Sequence, residues 1–103
     1  MRADNKARRR EIIKELRQYK KAITKQLEEI RGIIRELHFS KIQSERAIMK
    51  PPQHNATVEI FRLETLIKLS NMQIENLTAQ AETLFKQREE LRRAIYKVRE
   101  GLI

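Results

Sequence analysis

Histidine and carboxylate side chains are the residues of this sequence whose chemistry suits metal binding or acid–base catalysis. The chain contains two histidines, His38 and His54, and no cysteine. In Glu36, Leu37 and His38 the carboxylate and the imidazole are one residue closer than the Glu-x-x-His spacing of helical di-metal sites. Neither histidine has a carboxylate at ligand spacing, so we predict that both are surface or helix-end residues.

The paired carboxylates do not form a catalytic arrangement either. Glu28 with Glu29, and Glu89 with Glu90, are neighbours in sequence, so on a helix the two side chains of each pair point about 100° apart. They cannot share a proton. The sequence also contains no glycine-rich phosphate loop and no nucleophile motif. We therefore predict a protein that is not an enzyme, with no cofactor, no metal and no small-molecule substrate.

Positive charge is the strongest functional signal in the chain. The net charge is +9, and residues 1–25 hold ten Lys or Arg against three acidic residues. In that segment a four–three–four spacing places Arg10, Lys14, Arg17 and Lys21 on one helical face. Near the other end of the sequence, a second group of cations consists of Arg92, Arg93, Lys97 and Arg99. The predicted residues for binding a polyanion or an acidic partner are Arg8, Arg9, Arg10, Lys14, Arg17, Lys20, Lys21, Arg92, Arg93 and Lys97.

Such a basic segment has several interpretations. Dense cations bind phosphates by releasing counterions, and they bind acidic protein surfaces by the same attraction. A solvated face that only keeps the helices soluble is the plainest alternative. Binding to anionic lipid is the weakest, because the apolar stripe of the same helix is needed for a partner helix and the chain has no Trp.

Two long helices must position these cations. In the second half of the chain, apolar residues recur in alternating steps of three and four, which is the heptad pattern of helices packed along a seam. Ser70, Ala81 and Arg88 are the members that are not large and apolar. The seam residues are Ile60, Leu63, Ile67, Ser70, Ile74, Leu77, Ala81, Leu84, Arg88, Leu91, Ile95, Val98 and Leu102.

The first half carries a similar stripe. Its members are Ile12, Leu16, Tyr19, Ile23, Leu27, Ile30, Ile34 and Leu37, and the seam positions that would follow are Lys41, Ser44 and Ile48. Two steps of four follow each other, from Tyr19 to Ile23 and from Ile23 to Leu27. This predicts a stutter that locally unwinds the supercoil. Gly32 marks either a close helix–helix approach or a tolerated weak point that costs about 1 kcal/mol relative to Ala.

Pro51 and Pro52 lie at the midpoint and disfavour helical geometry before them. Asp4 or Asn5 is a candidate cap for the first helix, and Asn55 or Thr57 for the second. We predict one helical-hairpin unit over residues 1–103, with helix 1 at about 5–49, a loop at about 50–55 and helix 2 at about 56–101. Because short loops join antiparallel helices, the fold class is all-α, a long antiparallel two-helix coiled-coil hairpin.

Folding at the two prolines predicts which seam residues lie level with each other. Leu16 is expected beside Arg88. The guanidinium of Arg88 would then have Glu15 as an ion-pair partner and Tyr19 as a ring to stack on. A side chain that reaches out to solvent from a frayed end is the equally weighted alternative for Arg88.

Large apolar residues outside the seam predict a further contact. They are Ile33, Phe39, Ile42, Val58, Phe61, Leu66, Leu69 and Met72. Apolar residues on more than one side of a helix indicate more than one buried contact. We predict a homo-oligomer, with a dimer that forms a four-helix bundle favoured, and a foreign protein partner on the same residues as the alternative.

The sequence therefore predicts a non-enzymatic interaction module, an oligomeric adaptor or assembly factor whose basic terminal end engages an acidic partner. The alternative is a small basic nucleic-acid-binding accessory or regulatory protein that uses the same end. Membrane association is not expected, because no apolar run approaches the roughly 18 residues of a membrane span. Without cysteine or an apolar signal segment, a cytoplasmic location is expected.

Overall fold

The chain folds as two long helices packed against each other, an all-α helical hairpin. The computed structural model describes residues 2–50 and 54–102. Helix α1 is Arg2–Met49 and helix α2 is Ala56–Arg99. Helix α1 ends at the predicted residue, two positions before Pro51. Pro51 and Pro52, on which the predicted loop depends, lie outside the described residues.

The two helix starts differ in how well they were predicted. Helix α1 already begins at Arg2, so Asp4 and Asn5 lie inside the helix rather than at its cap. Helix α2 begins directly after Asn55, whose φ is 56° and whose carbonyl accepts the N–H of Glu59 at 3.0 Å. Asn tolerates this left-handed conformation better than most residues. Asn55 therefore takes the position before the helix, and Thr57 lies within the first turn.

Helix α2 ends in a Schellman motif. The N–H of Leu102 donates to the carbonyl of Lys97 at 2.8 Å, and the N–H of Gly101 donates to that of Val98 at 3.1 Å. Gly101 has a φ of 71°, the left-handed conformation that this motif requires and that glycine adopts without strain. The motif supplies partners to two carbonyls that the last turn of a helix would otherwise leave free.

The contacts between the helices divide the chain into two compact units. Met1–Glu29 with Ala81–Ile103 forms one unit, and Ile30–Gln80 forms the other. We call them the terminal unit and the loop unit. Each contains a piece of both helices.

The predicted seam of α2 is confirmed along almost its whole length. Every seam position from Ile60 to Val98 is buried or half-buried. Leu63 and Val98 are the most enclosed, at 5% and 6% exposed. Leu102 is an exception, at 67% exposed, because it lies beyond the end of the helix.

The seam of α1 was predicted wrongly near its start. Ile12 is 38% and Tyr19 62% exposed, whereas Ile13 and Lys20 are half-buried. With these two corrections the steps of three and four alternate without interruption, so α1 has no stutter. The polar amine of Lys20 hid this position, although a Lys side chain can lay its four-carbon stem along an apolar seam. The corrected seam is Ile13, Leu16, Lys20, Ile23, Leu27, Ile30, Ile34, Leu37, Lys41, Ser44 and Ile48.

In the terminal unit the helices are shifted by one heptad from the predicted pairing. Residues of both helices line a common cleft, namely Arg17, Lys20, Arg92, Ile95, Tyr96 and Arg99. On the other flank of the seam, Tyr19 and Ile23 line a second cleft with Leu91 and Ala94. Leu16 therefore lies level with Ile95 instead of Arg88.

The loop unit contains the most polar part of the seam. Ser44 and Ser70 are each 8% exposed, and Lys41 is half-buried.

Gly32 also lies in the loop unit, and a Cβ added to it would meet no atom within 4 Å. The chain itself therefore makes no close helix–helix approach at Gly32, and the tolerated weak point is the interpretation that the geometry favours.

Candidate polyanion-binding surface

The terminal unit concentrates positive charge. Residues 1–29 and 81–103 hold sixteen Lys or Arg against nine acidic residues, whereas residues 30–80 hold seven against five. The hairpin brings the two basic ends of the sequence into this one unit because its helices are antiparallel. The positive charge at the two ends of the sequence therefore belongs to one compact unit.

Cations from both helices share a cleft of about 280 Å³. Helix α1 contributes Arg17 and Lys20, and α2 contributes Arg92 and Arg99. Ile95 also lines the cleft, together with Tyr96, which is 59% exposed. Among the described residues, no carboxylate lines this cleft. Four cations in one cleft present a positively charged site for an anionic partner.

The basic surface continues onto both helices. On α1, Arg17 also borders a shallow concavity lined by Arg10, Lys14 and Lys21. On α2, Arg92 and Tyr96 border another that includes Arg93, Lys97 and Glu89. Eight of the ten predicted cations thus line adjoining concave surfaces of the terminal unit. We call these eight, together with Arg99, the basic surface.

Arg8 and Arg9 do not belong to the basic surface. The guanidinium of Arg9 lies 3.3 Å from where a Cβ on Gly101 would be, so it packs against the end of α2. A cation at a helix C-terminus is stabilised by the helix dipole. Arg9 therefore has a structural position, and Arg8 is exposed to solvent.

Sequence reasoning missed the aromatic part of this site. Tyr96 was not selected because it lies outside the seam, yet it lines the cleft together with its four Arg and Lys side chains. Its position four residues after Arg92 and three before Arg99 places it on the same helical side as both. That spacing is visible in the sequence once the register of the hairpin is known.

The opposite flank of the terminal unit has a different character. Its cleft, of about 450 Å³, is lined by Tyr19, Ile23, Gln87, Glu90, Leu91 and Ala94. One carboxylate and no cation is present among these residues. The basic surface is thus confined to one side of the seam, which makes it a directional site rather than a uniformly charged end.

Arg88 has neither of its predicted partners. Its guanidinium lies over the ring of Phe85 on the same helix, 4.9 Å from the ring centroid. Tyr19 was expected to supply the ring and Glu15 the carboxylate, but the one-heptad shift moves Arg88 level with Ile23. The Arg88 side chain is half-buried. The cation–π contact places its guanidinium at the edge of the seam.

Two ion pairs occur within the described residues, both inside α2. Arg62 donates hydrogen bonds to the carboxylate of Glu59, one of them from Nε at 3.1 Å. These bonds hold the pKa of Glu59 below its ordinary value and raise the pKa of Arg62. The second pair joins Arg92 and Glu89 at 3.8 Å. Because this contact is long, the guanidinium of Arg92 remains largely available to a binding partner.

Among the described residues, the histidines and the carboxylates do not assemble into a metal site. His38 and His54 are both exposed. Within residues 2–50 and 54–102, no three His, Cys, Asp or Glu side chains are grouped so that they could hold a metal ion. Over the same residues, neither helix combines the length and the apolar character that crossing a membrane requires.

All eight predicted interface residues are exposed, between 40% and 71%. Helical geometry separates them into different surfaces. Val58, Phe61, Leu69 and Met72 lie on the side of α2 that faces away from α1, while Phe39 and Ile42 lie on the outer side of α1. Ile33 and Leu66 flank the seam. The loop unit therefore carries two outward apolar surfaces rather than one continuous patch.

The outer surface of α2 is the larger of the two. At its centre Thr65 donates its hydroxyl to the carbonyl of Phe61 at 2.9 Å, so the polar atom is already satisfied. We call Val58, Phe61, Thr65, Leu69 and Met72 the α2 apolar surface.

Comparison of the chain with models of known protein families, with curated proteins and with solved structures finds no match.

Proposed function

We propose that this chain is a non-enzymatic interaction module, an adaptor or assembly factor whose basic surface engages an acidic protein. The observation that carries the proposal is the common cleft of Arg17, Lys20, Arg92 and Arg99, which brings cations of both helices together and has no carboxylate among its lining residues. Arginine forms bidentate hydrogen bonds with carboxylates, so a cleft with three arginines and one lysine suits the acidic side chains of a protein partner.

Nucleic acid is the second candidate. Its support is Tyr96, an exposed ring among cations, because proteins that bind single strands combine a positive groove with aromatic side chains on which bases stack. Both candidates predict binding that weakens as the salt concentration rises. They differ in which polyanion wins a direct competition.

Charge reversal on α1 tests the basic surface. Lys14→Glu, Arg17→Glu and Lys21→Glu together should weaken binding of fluorescent poly-glutamate by at least about tenfold and flatten its salt dependence. Arg35→Glu, Arg46→Glu and Lys68→Glu make the same change of net charge on exposed residues of the loop unit and serve as the control. Equal losses in both triple variants would mean that only net charge matters.

A competition at physiological salt separates the two candidates. We expect an unlabelled single-stranded or duplex oligonucleotide to displace poly-glutamate poorly. If the oligonucleotide displaces poly-glutamate when its phosphates are less concentrated than the glutamate residues, the result favours the nucleic-acid function. A pull-down from the native host with and without nuclease would then identify the partner class.

We also propose that the chain self-associates through the α2 apolar surface into a two-fold, four-helix arrangement. Burying each large side chain contributes about 1.5–3 kcal/mol, and both copies contribute the same residues in a two-fold contact. Summed over both copies, this burial exceeds the lower end of the roughly 4–15 kcal/mol that association costs. A foreign protein on the same surface is the alternative.

Light scattering tests this assembly. Phe61→Glu with Leu69→Glu should shift the purified chain toward monomer, whereas Phe39→Glu with Ile42→Glu, on the other helix, should not. A wild-type monomer at tens of micromolar would assign the surface to a foreign partner.

A further inference from the structure

We propose that α2 is self-complementary and pairs in antiparallel orientation with α2 of a second copy, which places carboxylates of that copy against the basic cleft. This inference rests on the proposed function of the basic surface, because it names one acidic partner of that surface. The contact is separate from the α2 apolar surface.

The contact uses a stripe beside the seam of α2. Its members follow each other in alternating steps of three and four, so they lie on one side of the unbroken helix Ala56–Arg99. We call this the α2 stripe, and it consists of Glu75, Thr78, Glu82, Phe85, Glu89, Arg92, Tyr96 and Arg99. Glu89 is half-buried and the other seven are exposed.

The order of charges along the stripe is what makes it self-complementary. Two carboxylates come first and two guanidiniums last, and the midpoint lies between Phe85 and Glu89. When a second copy is turned about a two-fold axis at this midpoint, Glu82 meets the partner's Arg92. Glu75 likewise meets the partner's Arg99. Symmetry makes each pair form twice, as in any two-fold contact.

The charged groups are available for these pairs. Within the described part of the chain, Glu75 and Glu82 make no ion pair, and Arg92 has only the 3.8 Å contact with Glu89. Arg92 and Arg99 line the basic cleft with Arg17 and Lys20. The partner's carboxylates therefore supply the negative charge that the cleft lacks.

The uncharged positions of the stripe also match. Thr78 meets the partner's Tyr96. The hydroxyl of Thr78 already donates to the carbonyl of Ile74 at 2.7 Å, so its methyl group is free to pack against the ring. Near the axis, Phe85 is 46% exposed, and the guanidinium of Arg88 over its ring offers the partner's Glu89 a cation.

The pairing has a consequence for the proposed function. A second copy on the α2 stripe covers Arg92 and Arg99, which an external acidic protein also needs. Self-pairing and binding of an acidic partner therefore compete. Added poly-glutamate should dissociate the pair, and raising the protein concentration should weaken poly-glutamate binding.

A charge-swap experiment tests the pairing. Glu82→Arg and Arg92→Glu each place like charges opposite each other in a homodimer, which should raise its Kd by at least about tenfold. Mixing the two variants in equal amounts should restore association, because each carries the charge that the other needs. Glu90→Arg and Lys86→Glu, at exposed residues outside both the stripe and the basic surface, are the matched controls. All five samples also carry Phe61→Glu with Leu69→Glu, which removes association through the α2 apolar surface, and sedimentation velocity at several concentrations measures them.

Cysteine cross-linking gives a second readout that does not depend on charge. The chain contains no cysteine, so a mixture of Thr78→Cys and Tyr96→Cys chains should form a disulfide-linked heterodimer under mild oxidation, and neither variant alone should do so efficiently. Failure of both the mixing rescue and this cross-link would overturn the pairing.

The same variants distinguish this inference from the proposed function. Arg92→Glu should weaken poly-glutamate binding, whereas Glu82→Arg should leave it intact or strengthen it. If poly-glutamate binding follows this pattern but association is unchanged in both variants, the basic surface stands and the self-pairing does not. If neither property changes in any variant, both proposals fail.

Discussion

The two glycines of the chain offer a sharp test of the structure, because the same substitution should have opposite effects at each. Gly32 is in the interior of α1 and a Cβ there would meet no atom within 4 Å. Gly101 has a φ of 71°, and a Cβ there would lie 3.3 Å from the guanidinium of Arg9. Gly32→Ala should therefore stabilise the protein, and Gly101→Ala should destabilise it.

The expected magnitudes follow from the local geometry. Alanine is favoured over glycine in a helix interior by about 0.5–1 kcal/mol, and at Gly32 no steric cost opposes this gain. For a chain of this size the melting temperature should rise by roughly 2–8 °C. At Gly101 the left-handed conformation costs an L-residue roughly 1–2 kcal/mol, while the end of the Arg9 side chain can move aside.

Thermal and urea unfolding followed by circular dichroism measure both variants. Each should be run at two protein concentrations at least tenfold apart, because association also raises the apparent stability. A Gly32→Ala variant that is unchanged or less stable would refute the reasoning about open space at this position. If its loss grew with protein concentration, Gly32 would be a site where a second chain approaches closely.

Three further substitutions test the corrected seam and the ion pair of Glu59 with Arg62. Leu27→Ala, at a side chain 4% exposed, should lower the free energy of unfolding by about 2–5 kcal/mol. Tyr19→Ala should lower it by less than about 1 kcal/mol. If urea unfolding shows similar losses for both variants, Tyr19 belongs to the seam after all. Because the pKa of Glu59 is lowered in the fold, the stability from its bond with Arg62 is present above the unfolded pKa of about 4.5 and is lost as the pH falls through the folded value. Glu59→Gln should flatten the stability profile below about pH 5, and an unchanged profile would show that this exposed pair contributes nothing measurable.

The helices and the seam of α2 could be predicted from the sequence because the information is local. Alternating steps of three and four from Ile60 to Val98 leave one face of α2 to bury, whatever the partner helix is. The start of α1 was harder. Tyr19 is apolar enough to be chosen over Lys20, and only the packed structure shows that the aliphatic stem of Lys20 lies in the seam while Tyr19 faces solvent.

In the terminal unit the helices were predicted to pair one heptad away from their observed position. A shift of a whole heptad moves every seam residue onto another seam position, so the apolar pattern is equally satisfied and periodicity cannot choose between the two registers. The residues at the chain ends that distinguish them, such as Arg9 against Gly101, carry no periodic signal.

By itself the sequence determined that the chain forms two long helices, that α2 buries one continuous face, and that positive charge accumulates at both ends of the chain. These follow from helix propensity, spacing and composition, which need no knowledge of the partner helix. Tertiary structure decided the register, and with it which side chains share a cleft. Arg17 and Arg92 are distant in sequence and meet only because of the observed register. A pair of repeating helices has several nearly equivalent alignments, and contacts between residues far apart in sequence select one of them.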